Sequence, residues 1–171
     1  MAALIPEYDH FEAAWARCEN QLVYMRLAAD LDTPVSLYLK LAGAARDSFI
    51  LESVTGGDVR GRYSIIGMKP DLVWQCRDGT ARINREARFD PNAWEDQDAA
   101  PLEALRALLA ESRIDIPADL PAACAGLFGY LGYDMIRLVE HLPDVNPDPI
   151  GAPDALMIRP SVVAVLDGVK G

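Results

Sequence analysis

The chain has 171 residues, 51% of them apolar and three of them tryptophan. That is enough for one domain with a real core and too little for two full ones, so residues 1–171 are expected to form a single domain. Sixteen lysines and arginines against 26 aspartates and glutamates leave a formal charge of −10, which repels phosphate backbones and anionic bilayers and argues against nucleic acid or membrane partners.

Asp9 with Glu12 three residues later reads as a capping box opening a short helix through Phe11, Ala14 and Trp15. Leu22 to Ala28, apolar on both faces, is expected to be a strand. Thr33-Pro34 then supplies an N-cap and an N1 proline for a helix carrying Val35, Tyr38, Leu39 and Ala42 on one side and stopping near Gly43. Three short runs follow, Ser48 to Val54, Arg62 to Met68 and Leu72 to Arg77, with a fourth after the Asp78-Gly79 turn signal, which together predict an antiparallel meander. Acidic residues 86–100 read as a solvated loop pinned by Trp94. Pro101 opens a helix whose Leu102, Leu105, Leu108 and Leu109 form one stripe. Ala125 to Tyr133 reads as a glycine-rich strand and Asp134 to His141 as a helical turn or two, and Pro143, Pro147, Pro149 and Pro153 then forbid regular structure. Leu156 to Leu166 is the last strand, too apolar for an ordinary edge, so something should pair with it or cover it. The order of elements predicts an α+β fold, an antiparallel sheet with packed helices.

Cys18, Cys76 and Cys124 lie about fifty residues apart with no C-x-x-C pair, which suits neither a disulfide framework nor a zinc site and fits a reducing cytoplasm. The start, Met1 to Glu7, has no basic n-region, and no stretch approaches the roughly 18 apolar residues of a membrane span. Gly56 to Tyr63 superficially resembles a phosphate-binding loop but lacks Lys-Ser/Thr after its second glycine and leads into a strand. Gly126, Gly129 and Gly132 alternate with aromatics and are assigned to close backbone packing. His10 and His141 are isolated and at helix ends, the wrong setting for general acid–base or metal chemistry.

What remains is the strand Phe49 to Ser53 facing Arg62-Tyr63-Ser64 across a glycine-rich connection. Phe49, Leu51 and Ser53 share one face and Ile50, Glu52 and Val54 the other, so a hydroxyl ends an apolar row. An amphipathic small ligand such as an amino acid needs an apolar slot, acceptors for its ammonium and donors for its carboxylate. Leu51, Glu52, Ser53 and Arg62 offer parts of each. Equally, Glu52 and Ser53 are ordinary turn-entry residues, and Arg62 could simply pair with Glu52.

Ile50-Leu51-Glu52-Ser53, Gly61-Arg62-Tyr63-Ser64-Ile65-Ile66-Gly67 and Gly126-Leu127-Phe128-Gly129-Tyr130-Leu131-Gly132-Tyr133-Asp134, in that order, resemble the amino-terminal region of anthranilate synthase component I, the large subunit. The resemblance runs from Thr33-Pro34-Val35-Ser36 to Asp167-Gly168-Val169-Lys170. It implies the amino-terminal half of a two-sheet chorismate-utilising fold. It also implies a parent lyase that converts chorismate to anthranilate and pyruvate with Mg2+, using ammonia that a glutamine amidotransferase small subunit releases. L-Tryptophan is the family's feedback inhibitor, and its site maps onto Ser53, with Leu51 and Glu52 beside it and Arg62 as the nearest basic residue. Chorismate and Mg2+ residues belong to the carboxy-terminal chorismate-binding domain, so no catalytic residue, metal site or synthase activity is expected of residues 1–171. The apolar final strand would then pack on that domain, and self-association through it is the corresponding hypothesis. The large component of aminodeoxychorismate synthase is the nearest rival, although Leu131 to Glu140 resembles the anthranilate branch more. A free-standing amino-acid-binding module is the rival of another class.

Overall fold

A computed structural model describes residues 3–52, 62–143 and 147–169. Strands β1 (Phe49–Glu52), β2 (Tyr63–Arg77), β3 (Thr80–Asn84), β4 (Glu95–Asp96), β5 (Phe128–Leu131) and β6 (Ala155–Asp167) form a six-stranded sheet in the order β4-β3-β2-β6-β5, with β1 paired to β2 off that path. The β1–β2, β2–β3, β3–β4 and β5–β6 pairs are antiparallel. Along β2 and β6, Gly168 N–H donates to the Arg62 carbonyl, Ser161 to the Lys69 carbonyl and Arg159 to Asp71, so one strand's numbers rise as the other's fall. The α+β fold with an antiparallel sheet is therefore as expected. So is the meander, with one change: the second and third runs are a single strand, because Lys69 turns through the left-handed region (φ +52°) before Pro70 and the chain then resumes its extended course.

The chain divides into two compact units, residues 1–68, 113–126 and 162–171 in one and 69–112 and 127–161 in the other. The core of the second is built on strand periodicity. Leu72, Trp74 and Cys76 alternate along β2, and the register sets Trp74 opposite Ile83 and Cys76 opposite Ala81 of β3. Helix α3 (Pro101–Glu111) lays Ala104, Leu105 and Leu108 on this cluster. Fully burying a leucine contributes about 1.5–3 kcal/mol, so Leu105 and Leu108 are the largest apolar anchors of the helix on this cluster. Leu109, assigned to the same stripe from its spacing, is half exposed, and Ala104 takes the central place. The loop after β3 carries Trp94, whose ring centroid is 5.9 Å from the Arg82 guanidinium of β3, and is tied down by polar contacts as well. Buried Asn84 donates to the Asp90 carbonyl and accepts from Glu86 N–H, and the Trp74 indole N–H donates to Gln97.

Gly129 and Gly132 earn the architectural role that their spacing suggested. A methyl group on Gly129 would collide with the Leu156 carbonyl of β6, and one on Gly132 would come within 2.7 Å of the Asp154 carbonyl. The strand around them is shorter than expected, because Gly126 (φ +138°) redirects the chain before Phe128 and a 3₁₀ turn starts at Tyr133. Strand β6 is flanked by β2 and, over Ala155 to Ile158, by β5, so its backbone pairs within the described chain, while Val162 stays 42% exposed.

In the first unit, helix α2 (Pro34–Leu41) begins as its sequence indicates: Thr33 Oγ1 accepts from Ser36 N–H at 3.1 Å, and the Ser36 hydroxyl accepts from Thr33 N–H at 2.9 Å. Helix α1 (Tyr8–Ala16) does not. Its N-cap is Glu7, with no side-chain cap bond, and Asp9 lies inside the first turn, where its charge meets the positive end of the helix dipole. Trp15 is 70% exposed, so one of the three tryptophans is not a core residue. The strand expected over Leu22 to Ala28 is reduced to a single bridge between Tyr24 and Ile5.

Candidate functional site

The antiparallel meander brings β1 and the start of β2 together, as the sequence suggests. Phe49 pairs with Gly67, Ile50 with Ile66, Leu51 with Ile65 and Glu52 with Ser64. Gly67 is required here, since its missing side chain is the space that the Phe49 ring fills. Behind β1 lies α2, whose Tyr38 hydroxyl is 2.9 Å from the Ser48 hydroxyl at the strand's entry. Strand, helix and ring thus fix β1 up to Glu52.

The candidate residues divide as follows. Leu51 and Glu52 both lie at the exposed end of β1, and the register sends them to opposite faces, Leu51 with Ile65 and Glu52 with Ser64. Leu51 is half exposed, an apolar side chain open at the strand end. Ser53 falls outside the described residues, as does the glycine-rich stretch that resembled a phosphate loop, up to Gly61.

Arg62 precedes the first residue of β2. Its guanidinium forks onto Asp167, the last residue of β6, with Nε donating to Oδ1 at 2.8 Å and Nη2 to Oδ2 at 2.5 Å. The alternative pairing with Glu52 is therefore not the one adopted. The fork first, and the carboxylate's charge after it, push the Arg62 pKa above the ordinary arginine value. The guanidinium also stands 5.0 Å from the Tyr63 ring centroid, within cation–π range. Asp167 Oδ1 accepts a further hydrogen bond from Val169 N–H at 3.1 Å, and Gly168 N–H closes the strand pair on the Arg62 carbonyl at 2.8 Å.

Asp167 is the neighbour of the candidate site that sequence reasoning missed. No local pattern could join it to a residue 105 positions away; the hint available was that the family resemblance ends on Asp167-Gly168-Val169-Lys170. His10 and His141 are both exposed. Burial is the first cause of the raised thiol pKa at Cys76 and also raises it at Cys124, which makes both poor nucleophiles. Among the described residues no group of three or more His, Cys, Asp or Glu is placed to hold a metal ion, and no helix is long and apolar enough to cross a membrane.

No protein-family model matches the chain. Whole-chain relatives do. Anthranilate synthase component 1 of Cereibacter sphaeroides is 69% identical over 164 residues, covering 96% of this chain and 33% of the relative. The Thermus thermophilus protein of the same name is 40% identical over 145 residues, 83% of this chain and 29% of its own length. Among solved structures, anthranilate synthase component I from Streptococcus pneumoniae superposes with a TM-score of 0.53 at 25% identity, over 88% of this chain and 30% of that one. The chain thus spans about a third of the length of the curated relatives it matches. With the sequence order, the sheet and the relatives in agreement, the chain belongs to the anthranilate synthase component I family and corresponds to its amino-terminal region.

Proposed function

We propose that this chain is the tryptophan-sensing, regulatory part of an anthranilate synthase large subunit, in which the whole protein converts chorismate and glutamine or ammonia to anthranilate and pyruvate in the cytoplasm. The observation that supports this most is the 69% identity to an anthranilate synthase component 1 over 96% of the chain. The β1 end supports the sensing role: an exposed leucine and a carboxylate stand where the chain enters Ser53, with a guanidinium at the start of the partner strand. Leu51 would line the indole slot, Ser53 on the same face would meet the ammonium, and Arg62 would meet the carboxylate, while Glu52 stands beside them on the opposite face of β1. Catalysis and Mg2+ chemistry would lie in the carboxy-terminal chorismate-binding domain, and ammonia would come from the amidotransferase small subunit.

Feedback requires that L-tryptophan bind one conformation of the whole subunit better than another, because equal affinity shifts nothing. A coupling of about 1–3 kcal/mol is typical of such control. Losing one hydrogen bond to a charged ligand costs roughly tenfold in affinity. Ser53→Ala in the full-length subunit is therefore expected to leave turnover near normal and to raise the half-inhibitory tryptophan concentration tenfold or more. Unchanged inhibition would remove Ser53 from the site.

A further inference from the structure

We infer that Asp167 is the positioning residue for Arg62, holding its guanidinium so that the remaining donor edge meets the carboxylate of a bound amino acid; this rests on the sensing role proposed above. A guanidinium carries five N–H donors. Asp167 takes Nε and one Nη2 hydrogen, which leaves three on Nη1 and Nη2. Those two nitrogens form the end-on edge that grips a second carboxylate side by side. An arginine free to rotate would spread that edge over many rotamers, whereas a ligand as small as an amino acid must be met in one geometry.

Asp167 is equipped to fix it. Its own carboxylate is held by Val169 N–H, and the backbones of the two partners are bonded through Gly168 N–H. The two side chains are 30% and 22% exposed, less than the 59% and 51% of the Arg17–Glu19 pair of similar length. The fork is thus a shielded cross-strand contact with both backbones anchored, and Arg62 stands in it as the first described residue after the connection from Glu52.

The test is a double-mutant cycle on inhibition of the full-length subunit by L-tryptophan, comparing wild type, Arg62→Lys, Asp167→Asn and the double variant, with kcat and KM measured without inhibitor. Each single variant should raise the half-inhibitory concentration about tenfold, the double variant should add nothing further, and kcat and KM should stay at wild-type values. A role confined to holding the fold would instead move KM or kcat along with inhibition. Wild-type inhibition of Asp167→Asn, or losses that multiply in the double variant, would overturn the inference. Asp167→Glu, which keeps the charge and displaces the fork by one methylene, is read in place of Asp167→Asn if the latter does not fold, with the same loss expected. Ser53→Ala run in parallel separates the two claims. Resistance in Ser53→Ala with full sensitivity in Asp167→Asn sinks this inference alone, and a wild type indifferent to tryptophan sinks the sensing role and this inference with it.

Discussion

Arg159 offers the sharpest test of how this sheet is held together. From β6 it grips Asp71 of β2 with Nε at 3.0 Å and Nη2 at 2.8 Å, and its Nη1 donates to the Ser112 hydroxyl at 3.0 Å, at the end of α3. Strand, strand and helix meet on one guanidinium. A hydrogen bond to a buried charged group contributes about 1.5–3 kcal/mol, and an exposed ion pair about 0.2–1 kcal/mol. Arg159 is 27% exposed and Asp71 48%, so the fork belongs between these limits, with a coupling of about 1 kcal/mol. Urea denaturation of wild type, Arg159→Met, Asp71→Asn and the double variant gives that coupling directly. The control is Arg17–Glu19, whose two hydrogen bonds of 2.7 and 2.8 Å are no longer than these, but whose side chains are over half exposed and two residues apart. It should show no measurable coupling. A value below about 0.3 kcal/mol at Arg159–Asp71, or an equal one in both cycles, would refute the claim that burial and cross-strand placement decide the strength of these pairs.

Two further perturbations follow from the same unit. Gly129→Ala drives a methyl group into the Leu156 carbonyl of β6, so denaturation should show a loss of about 3 kcal/mol, the upper end of overpacking costs; Gly79→Ala, in open space at φ +72°, should lose about 1 kcal/mol, and equal losses would show that β5 can shift away from β6. Hydrogen bonds from Arg85, with the charges of Arg85 and Arg159 adding to them, hold the Glu111 carboxyl below the ordinary glutamate range despite partial burial. Because the folded value is the lower one, this stabilisation is complete above the unfolded pKa of about 4.3 and disappears as pH falls through the folded value. Melting temperatures from pH 7 to pH 3 should therefore fall more steeply for wild type than for Glu111→Gln and converge in acid, and parallel curves would exclude the Arg85–Glu111 pair as a source of acid sensitivity.

What could be read from the sequence was whatever depends on near neighbours. Thr33, Pro34 and Ser36 are a complete local instruction for a helix start, and Asp78-Gly79 is one for a hairpin, with both residues at positive φ as that turn demands. The alternation through Leu72, Trp74 and Cys76 marked a buried strand face because a strand's period is two. The failures have different causes, one a missing strand partner and one a shifted helix start. Leu22 to Ala28 has strand composition but finds one bridging residue, and a strand without a neighbour is not a strand. Asp9 and Glu12 have capping-box spacing, yet the N-cap is Glu7, two residues earlier, with no side-chain cap bond.

The same distinction divides the candidate site. Leu51 and Glu52 were legible because their register follows from one hairpin, and pairing with Ile65 and Ser64 puts them on opposite faces as strand geometry requires. Arg62 was legible as a cation near that hairpin, but its pairing was not, because that depends on Asp167 at the far end of the described chain. This matters for the sensing role proposed above. A ligand that bound only to β1 would report only on a hairpin, and feedback needs a contact whose energy differs between two states of the whole subunit. Arg62 bridges the hairpin to the terminal residue of β6. Tryptophan drawing on the free edge of that guanidinium would pull against the fork on its other edge. Occupancy at β1 would then be felt at Asp167 and the Val169 amide bonded to it, where a purely local site would leave both unmoved.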